Sequence, residues 1–195
     1  MTYLANRTRH DSASRHVFTF HGTGGTEDQF HSFAVDLWPD ADITSPRGDV
    51  SEGGALRFFR RTGEGVYDMD DLARRQMAMA AFVRSEAPQS KRIALGYSNG
   101  ANIAAAVALD QPDIFSDLIL LHPLIPWAPA PQPALAGRRI LITAGERDPI
   151  CPALQTQALA DYFLSQGANV QLHWHAGGHN IDQSEISAIQ EFAAQ

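Results

Sequence analysis

Gly96-Tyr97-Ser98-Asn99-Gly100 lies where the apolar run Ile93-Ala94-Leu95 gives way to an alanine-rich stretch, and this pentapeptide constrains the fold more than any other feature. A chain that leaves a buried strand and enters a helix within a residue or two must turn sharply, with strained backbone angles at the apex. The residues two before and two after that apex must lack bulk, which Gly96 and Gly100 supply. The turn lifts the Ser98 hydroxyl clear of the strand. The helix that follows aims its unpaired amides and positive end at the same spot, where negative charge developing on a substrate oxygen is stabilised. Ser98 therefore reads as the apex of a nucleophile elbow. The same spacing also occurs in ordinary tight turns with a solvated serine, so the rest of the chain has to decide.

Apolar runs rich in β-branched or aromatic residues recur at His16–Phe20, Arg92–Leu95, Leu118–Leu121, Ile140–Thr143 and Val170–Trp174. Helix-like segments fall between most of them, at Glu27–Leu37, Asp68–Glu86, Ser98–Leu109, Pro152–Gln166 and Gln183–Phe192. This alternation predicts an α/β architecture, a mostly parallel twisted sheet flanked by helices on both faces. Leu72, Met79 and Val83 share one face of the second helix, so its methionines read as core, and Asp68 or Asp70 is placed to cap its start. A short strand near Ile43-Thr44 and an edge strand near Tyr3-Leu4 are more weakly marked. The proline-rich piece Pro123–Pro133 reads as a stiff loop, and 195 residues suit a single domain spanning 1–195.

A serine hydroxyl is a poor nucleophile at neutral pH unless a base and an orienting acid reach it from the ends of later strands. After Ile140–Thr143 comes Ala144-Gly145-Glu146-Arg147-Asp148-Pro149, and Asp148 is the candidate acid. It is favoured over Glu146 because the Asp-Pro step fixes the turn at Asp148, just before the next helix. After Val170–Trp174 the chain reads His175-Ala176-Gly177-Gly178-His179. A histidine beyond a glycine pair is free to reach the elbow, and an ordinary imidazole pKa of about 6.5 lets it take and return a proton near neutrality. His179 is the candidate general base. The chain order Ser98, Asp148, His179 is the one found in α/β-hydrolases.

Acyl transfer also needs two backbone donors for an oxyanion. One is the amide of the residue after the nucleophile, Asn99. The other is sought in the early loop His21-Gly22-Thr23-Gly24-Gly25-Thr26, where Thr23 is the best placed. That loop has neither spacing of a phosphate-binding glycine loop, and His21 reads as a brace within it. His173, His175 and His179 superficially resemble a metal-ligand cluster, but no Cys or carboxylate pattern completes it, and His173 and His175 are expected to pack under a helix. His122 reads as a satisfied structural histidine, and Cys151 has no base assigned to it.

These residues together resemble the small phospholipase/carboxylesterase family of α/β-hydrolases, over nearly the whole chain. His21-Gly22-Thr23-Gly24-Gly25, Pro46-Arg47-Gly48, Arg57-Phe58-Phe59-Arg60-Arg61, Gly96–Asn102, Leu121-His122-Pro123 and Asp148-Pro149-Ile150-Cys151-Pro152 are most similar to a bacterial branch of carboxylesterases linked to hydroquinone resistance. The resemblance implies an α/β-hydrolase fold without a large separate lid domain, a Ser98–Asp148–His179 triad, and oxyanion donors at Thr23 and Asn99. Thioesterase-like members usually carry Gln after the nucleophile and Leu in the early loop, where this chain has Asn99 and Thr23, which points away from long-chain lipids. Dienelactone hydrolases share the architecture but use cysteine at the elbow, so their reaction is set aside. The segment Arg47–Tyr67 is expected to fold over the site, with Phe58 or Phe59 together with Trp127 forming an apolar wall and Ile150 beside them.

Lys and Arg number 15 against 22 Asp and Glu, a net charge of −7 with no like-charge run, so neither a nucleic-acid face nor a membrane patch is expected. The longest apolar run is too short to span a bilayer. The first residues contain no secretory h-region, and one cysteine, Cys151, suits a reducing compartment, so the expected location is cytoplasmic. The leading expectation is a cofactor-free hydrolase of small carboxylic esters, metal-independent and acting on a small-molecule substrate, with homo-oligomerisation left open. The alternatives are a metal-dependent enzyme acting on aromatic diols, and a hydrolase-fold protein that binds an acyl ligand without turning it over.

Overall fold

The structure, a computed structural model, describes residues 3–88 and 91–195. Seven strands form the main sheet: β1 (Ala5–Thr8), β2 (Arg15–Phe20), β3 (Asp42–Pro46), β8 (Lys91–Tyr97), β9 (Asp117–Leu121), β10 (Arg139–Gly145) and β11 (Asn169–His175). They are ordered β1-β3-β2-β8-β9-β10-β11. Only β1 runs antiparallel to its neighbour; the other pairings are parallel. The expected parallel sheet is thus present, extended at one edge. That edge strand begins at Ala5, after the expected Tyr3-Leu4, because Tyr3 turns into the core and packs on Phe82 with ring centres 5.2 Å apart.

The period of two along each buried strand divides the core between the faces. Phe18, Phe20, Leu118, Leu120, Ile140 and Ile142 point to the face covered by α2 (Met69–Glu86), α3 (Asn99–Asp110) and α4 (Ala153–Ser165). Val17, Ile93, Leu95, Ile119, Leu121 and Leu141 point to the other, covered by α1 (His31–Leu37) and α5 (Gln183–Ala193). Asp68 caps α2 by accepting from the Asp71 N–H at 3.0 Å, which resolves the choice between Asp68 and Asp70. Helix α1 is shorter than the expected Glu27–Leu37. Residues 26–29 instead form a turn, closed by Gln29 N–H donating to Thr26 O and tied down by the Gln29 side chain accepting from the Gly22 N–H.

Between β3 and α2 the chain builds two small hairpins, β4 (Val50–Glu52) with β5 (Ala55–Arg57), and β6 (Arg61–Gly63) with β7 (Val66–Tyr67). The first turns through Gly53 and Gly54, both at positive φ, the backbone state a two-residue hairpin loop demands. Among the described residues, no helix is long and apolar enough to cross a membrane.

Candidate active site

Ser98 has φ 52° and ψ −117°, between the end of β8 and the start of α3. The two flanking glycines are sterically required. A Cβ on Gly96 would stand 2.6 Å from Gly100 O, and one on Gly100 only 2.2 Å from Phe20 O. Helix α3 thus docks backbone to backbone on β2, and its run of buried alanines lets it lie close to the sheet.

The chain ends of three parallel strands bring the grouped side chains together. His179 Nε2 lies 2.9 Å from Ser98 Oγ, and His179 Nδ1 lies 2.7 Å from Asp148 Oδ2. For Nδ1–H to donate to the carboxylate, Nε2 must present its lone pair to the serine hydroxyl. Glu146 is exposed at the surface, whereas Asp148 is buried. The acid and base loops are bonded to each other: Glu146 N–H donates to His175 O at 2.8 Å and Arg147 N–H to Gly177 O at 3.0 Å. Burial works to raise the Asp148 pKa, but donation from the Cys151 N–H and from both His179 and His122, with Ile150 N–H behind them, holds it below the usual carboxylate range.

In the early loop, Gly22 N–H donates to Gln29, Gly24 N–H to Leu56 O, and Gly25 N–H to Gly22 O. The Thr23 N–H has no acceptor among these bonds, and the Thr23 hydroxyl accepts from Arg57 Nη1 at 2.8 Å. Asn99 opens α3, so its N–H has no acceptor within the helix. Its side chain accepts from Phe58 N–H at 2.8 Å, joining the elbow to the hairpin segment. His21 braces the loop as expected, accepting the Gly48 N–H at Nε2 and donating from Nδ1 to Gly22 O.

Above Ser98 is a cleft of about 270 Å³. It is lined by Arg57, Arg61, Glu64 and Tyr67 of the hairpin segment together with Leu124, Ile150 and Asn102. The segment 47–67 therefore does cover the site, but the expected aromatic wall is absent. Phe58 and Phe59 turn away into the core, packing on Phe20 and His21 and on Tyr67. Phe58 and Phe59 are adjacent and both fully buried, their apolar rings joining the core, while Arg57 and Arg61 reach the cleft. Trp127 stands one layer back, 6.2 Å behind the Tyr67 ring. Ile150 does line the cleft. A larger cleft of about 540 Å³ lies at the opposite end of the strands, beside Arg15, Lys91 and Arg139, and contains none of these groups.

His173 Nε2 faces Ser184 on α5, so the suggested cluster of His173, His175 and His179 does not form. Two other groups converge instead, His122 with Asp148 and His179, and His122 with His175 and Glu185. In each group the ring nitrogens already face polar partners. His175 Nδ1 accepts the Gly177 N–H, which places the hydrogen on Nε2, and both nitrogens of His122 face carboxylate oxygens. Cys151 is buried, its thiol donating to His122 O, and burial pushes its pKa far up.

His122 is buried and satisfied, as the sequence suggested, and Glu185 beside it is the residue at this site that the sequence reading did not name. Two signals pointed to them. His122 ends a parallel strand, on the edge where α/β proteins place their sites, and Asp182-Gln183-Ser184-Glu185 is a capping-box pattern. The box forms, with Asp182 N–H donating to Glu185 at 2.6 Å.

A family model described as "Dienelactone hydrolase family" matches residues 55–193, the stretch holding Ser98, Asp148 and His179. The chain is 38% identical to MhqD of Bacillus subtilis (strain 168) over 181 residues, 90% of each chain. Among solved structures, a protein of unknown function from Agrobacterium tumefaciens str. C58 superposes with TM-score 0.93 at 48% identity, covering 98% of this chain and 96% of that one. The Bacillus cereus carboxylesterase superposes with TM-score 0.91 at 32% identity, covering 98% and 93%. The chain belongs to the dienelactone hydrolase family of α/β-hydrolases, with a serine at its elbow, and is a carboxylic ester hydrolase.

Proposed function

We propose that the protein hydrolyses small carboxylic esters through an acyl-enzyme on Ser98, with His179 as general base and Asp148 as its orienting acid. The observation that carries this reading is the unbroken hydrogen-bonded series from Ser98 Oγ through both nitrogens of His179 to Asp148, at 2.9 and 2.7 Å. Ser98 Oγ attacks the ester carbonyl carbon while its proton passes to His179 Nε2. The carbonyl oxygen, now negative, lies between the N–H groups of Asn99 and Thr23. Collapse of the adduct breaks the bond to the alkoxy oxygen, which leaves as the alcohol with the proton from His179. Water then repeats the sequence, with His179 taking its proton and returning it to Ser98, and the carboxylic acid departs.

The cleft of about 270 Å³ lies at the small end for ligand sites, which supports short acyl and alkyl groups. The polar lining of Arg57, Arg61, Glu64 and Asn102 argues against a long lipid chain. The test is labelling by a fluorophosphonate, read by mass spectrometry, beside a chain-length series of p-nitrophenyl esters. Expected are one adduct on Ser98, a rate falling with acyl length, and a loss in kcat on the order of 10³-fold or more in Ser98→Ala. Near wild-type turnover by Ser98→Ala overturns the proposal.

A further inference from the structure

His122 is fully buried at the end of β9 and holds φ at 50°, one of two non-glycine residues with positive φ among the described residues, the other being Ser98. Such a conformation in a bulky residue persists only where its surroundings impose it. Here they do so through both ring nitrogens. Nδ1 lies 2.8 Å from Asp148 Oδ2, the same oxygen that receives His179, and Nε2 lies 3.1 Å from Glu185 Oε1. A neutral imidazole carries one N–H, so it would set a lone pair against a buried carboxylate at its other nitrogen. With both carboxylates ionised, only the doubly protonated ring satisfies both contacts.

Each carboxylate has further donors that favour its ionised form. Asp148 Oδ1 accepts from Ile150 and Cys151 N–H at 2.8 and 2.9 Å, and Glu185 accepts from the Thr143 hydroxyl at 2.5 Å and Asp182 N–H at 2.6 Å. The remaining titratable groups around the His122 ring come from β8, β11, the loop after β11 and the loop before α4. They are the Tyr97 phenol with ring centres 5.8 Å apart, His175 at 5.4 Å, His179 at 5.1 Å, and the Cys151 thiol, which donates to the His122 carbonyl. His175 accepts the Gly177 N–H at Nδ1, and its Nε2 lies 3.4 Å from Glu185 Oε2 without a hydrogen bond.

We propose that His122 is a positioning residue for Asp148, held as an imidazolium between Asp148 and Glu185, and that its charge offsets one of the two buried carboxylates behind His179. The inference rests on the acyl-enzyme reading for its catalytic consequence. With His122 charged, the group Asp148–His122–Glu185 carries one net negative charge while His179 is neutral, and this is cancelled when His179 takes the Ser98 proton. With His122 uncharged the group would carry two. Asp148 would then be less well fixed, and His179 would retain a proton to higher pH, withdrawing it as a base. Burial works to lower the His122 pKa, and Glu185 and Asp148 together more than reverse this, holding it above the ordinary imidazole value.

Two measurements test this. Nitrogen NMR on wild-type protein with labelled histidine reads the ring directly, and the expected result is a doubly protonated His122 unchanged from pH 5.5 to 8.5. A singly protonated ring overturns the proposal, and this readout requires neither a variant nor activity. The second is the pH profile of kcat/KM in His122→Asn and Glu185→Gln. Asparagine tolerates positive φ and keeps a neutral donor toward Asp148. The acid limb in His122→Asn should move up by about one pH unit, about a tenfold loss on that limb. In Glu185→Gln a carboxylate and the His122 proton are lost together, so the limb should stay within about 0.3 unit of wild type. An unmoved limb in His122→Asn overturns the proposal, as does a downward shift in Glu185→Gln, the pattern of an uncharged His122. Fluorophosphonate labelling of the wild type separates the two readings. An adduct on Ser98 with an unmoved limb sinks only this inference, whereas no adduct sinks the acyl-enzyme reading and leaves the NMR result to decide His122.

Discussion

The Tyr97 hydroxyl donates to the backbone carbonyl of His179 at 2.7 Å, tying the residue before the elbow serine to the loop that carries the imidazole. The two rings also lie against each other, with centres 5.4 Å apart. Burial, reinforced by the nearby Asp148 charge, pushes the Tyr97 pKa up to about 12, so the phenol remains a donor across the working range. This hydrogen bond adds a tie across the elbow to those the base loop makes with the acid loop.

Replacing Tyr97 with Phe leaves the ring packing and removes that bond. Stability should fall by about 1 kcal/mol, a drop in Tm of roughly 2–4 °C for a chain of this size. The activity loss should be larger than the stability loss suggests, because the base loop is freed. Thermal melts and kcat measured well below the melting temperature check both, and a variant with wild-type kcat would show that the loop needs no such tie.

Gly145 ends β10 against the loop bearing His179, and a Cβ there would stand 2.1 Å from Gly178 O and 2.7 Å from Gly177 O. Both obstacles are backbone, so Gly145→Ala must displace the base loop. A misplacement of about 1 Å costs on the order of 10²-fold in rate. Esterase activity in Gly145→Ala should fall by about that factor while the folded protein persists by circular dichroism. Retention of more than a tenth of the wild-type kcat would contradict the close approach.

His16 sits away from the site, fully buried on β2, accepting at Nε2 from Arg9 and Thr44. Burial first, and the Arg9 guanidinium second, push its pKa down to about 4. In the unfolded chain the value returns to about 6.5. As pH falls from about 6.5 towards 4, the unfolded chain takes up a proton that the folded chain refuses, so stability declines through that window and is fully retained above it. The shift corresponds to about 3 kcal/mol as an upper figure. Urea unfolding between pH 7.5 and 4.5 should show a steeper loss in wild type than in His16→Gln. Parallel slopes would rule out His16 as the titrating group.

The sequence alone determined the order of elements and the three side chains that meet. Gly96 and Gly100 around Ser98, and Asp148 and His179 after later apolar runs, are local signals, because a strand end and a tight turn are set by neighbouring residues. The hairpins β4–β7 were not legible, since strands of two or three residues carry no periodicity to read. Which side of the segment 47–67 faces the cleft was decided by packing. Phe58 and Phe59 gain more by joining Phe20 and Tyr67 in the core than by lining a wet cleft, leaving Arg57 and Arg61 to line it. The union of His122 with Asp148 and Glu185 spans 26 and 63 residues of chain, and no pattern of neighbours encodes it. Only the parallel stacking of β9 beside β10, with the first turn of α5 beside their ends, brings those charges together and removes them from water.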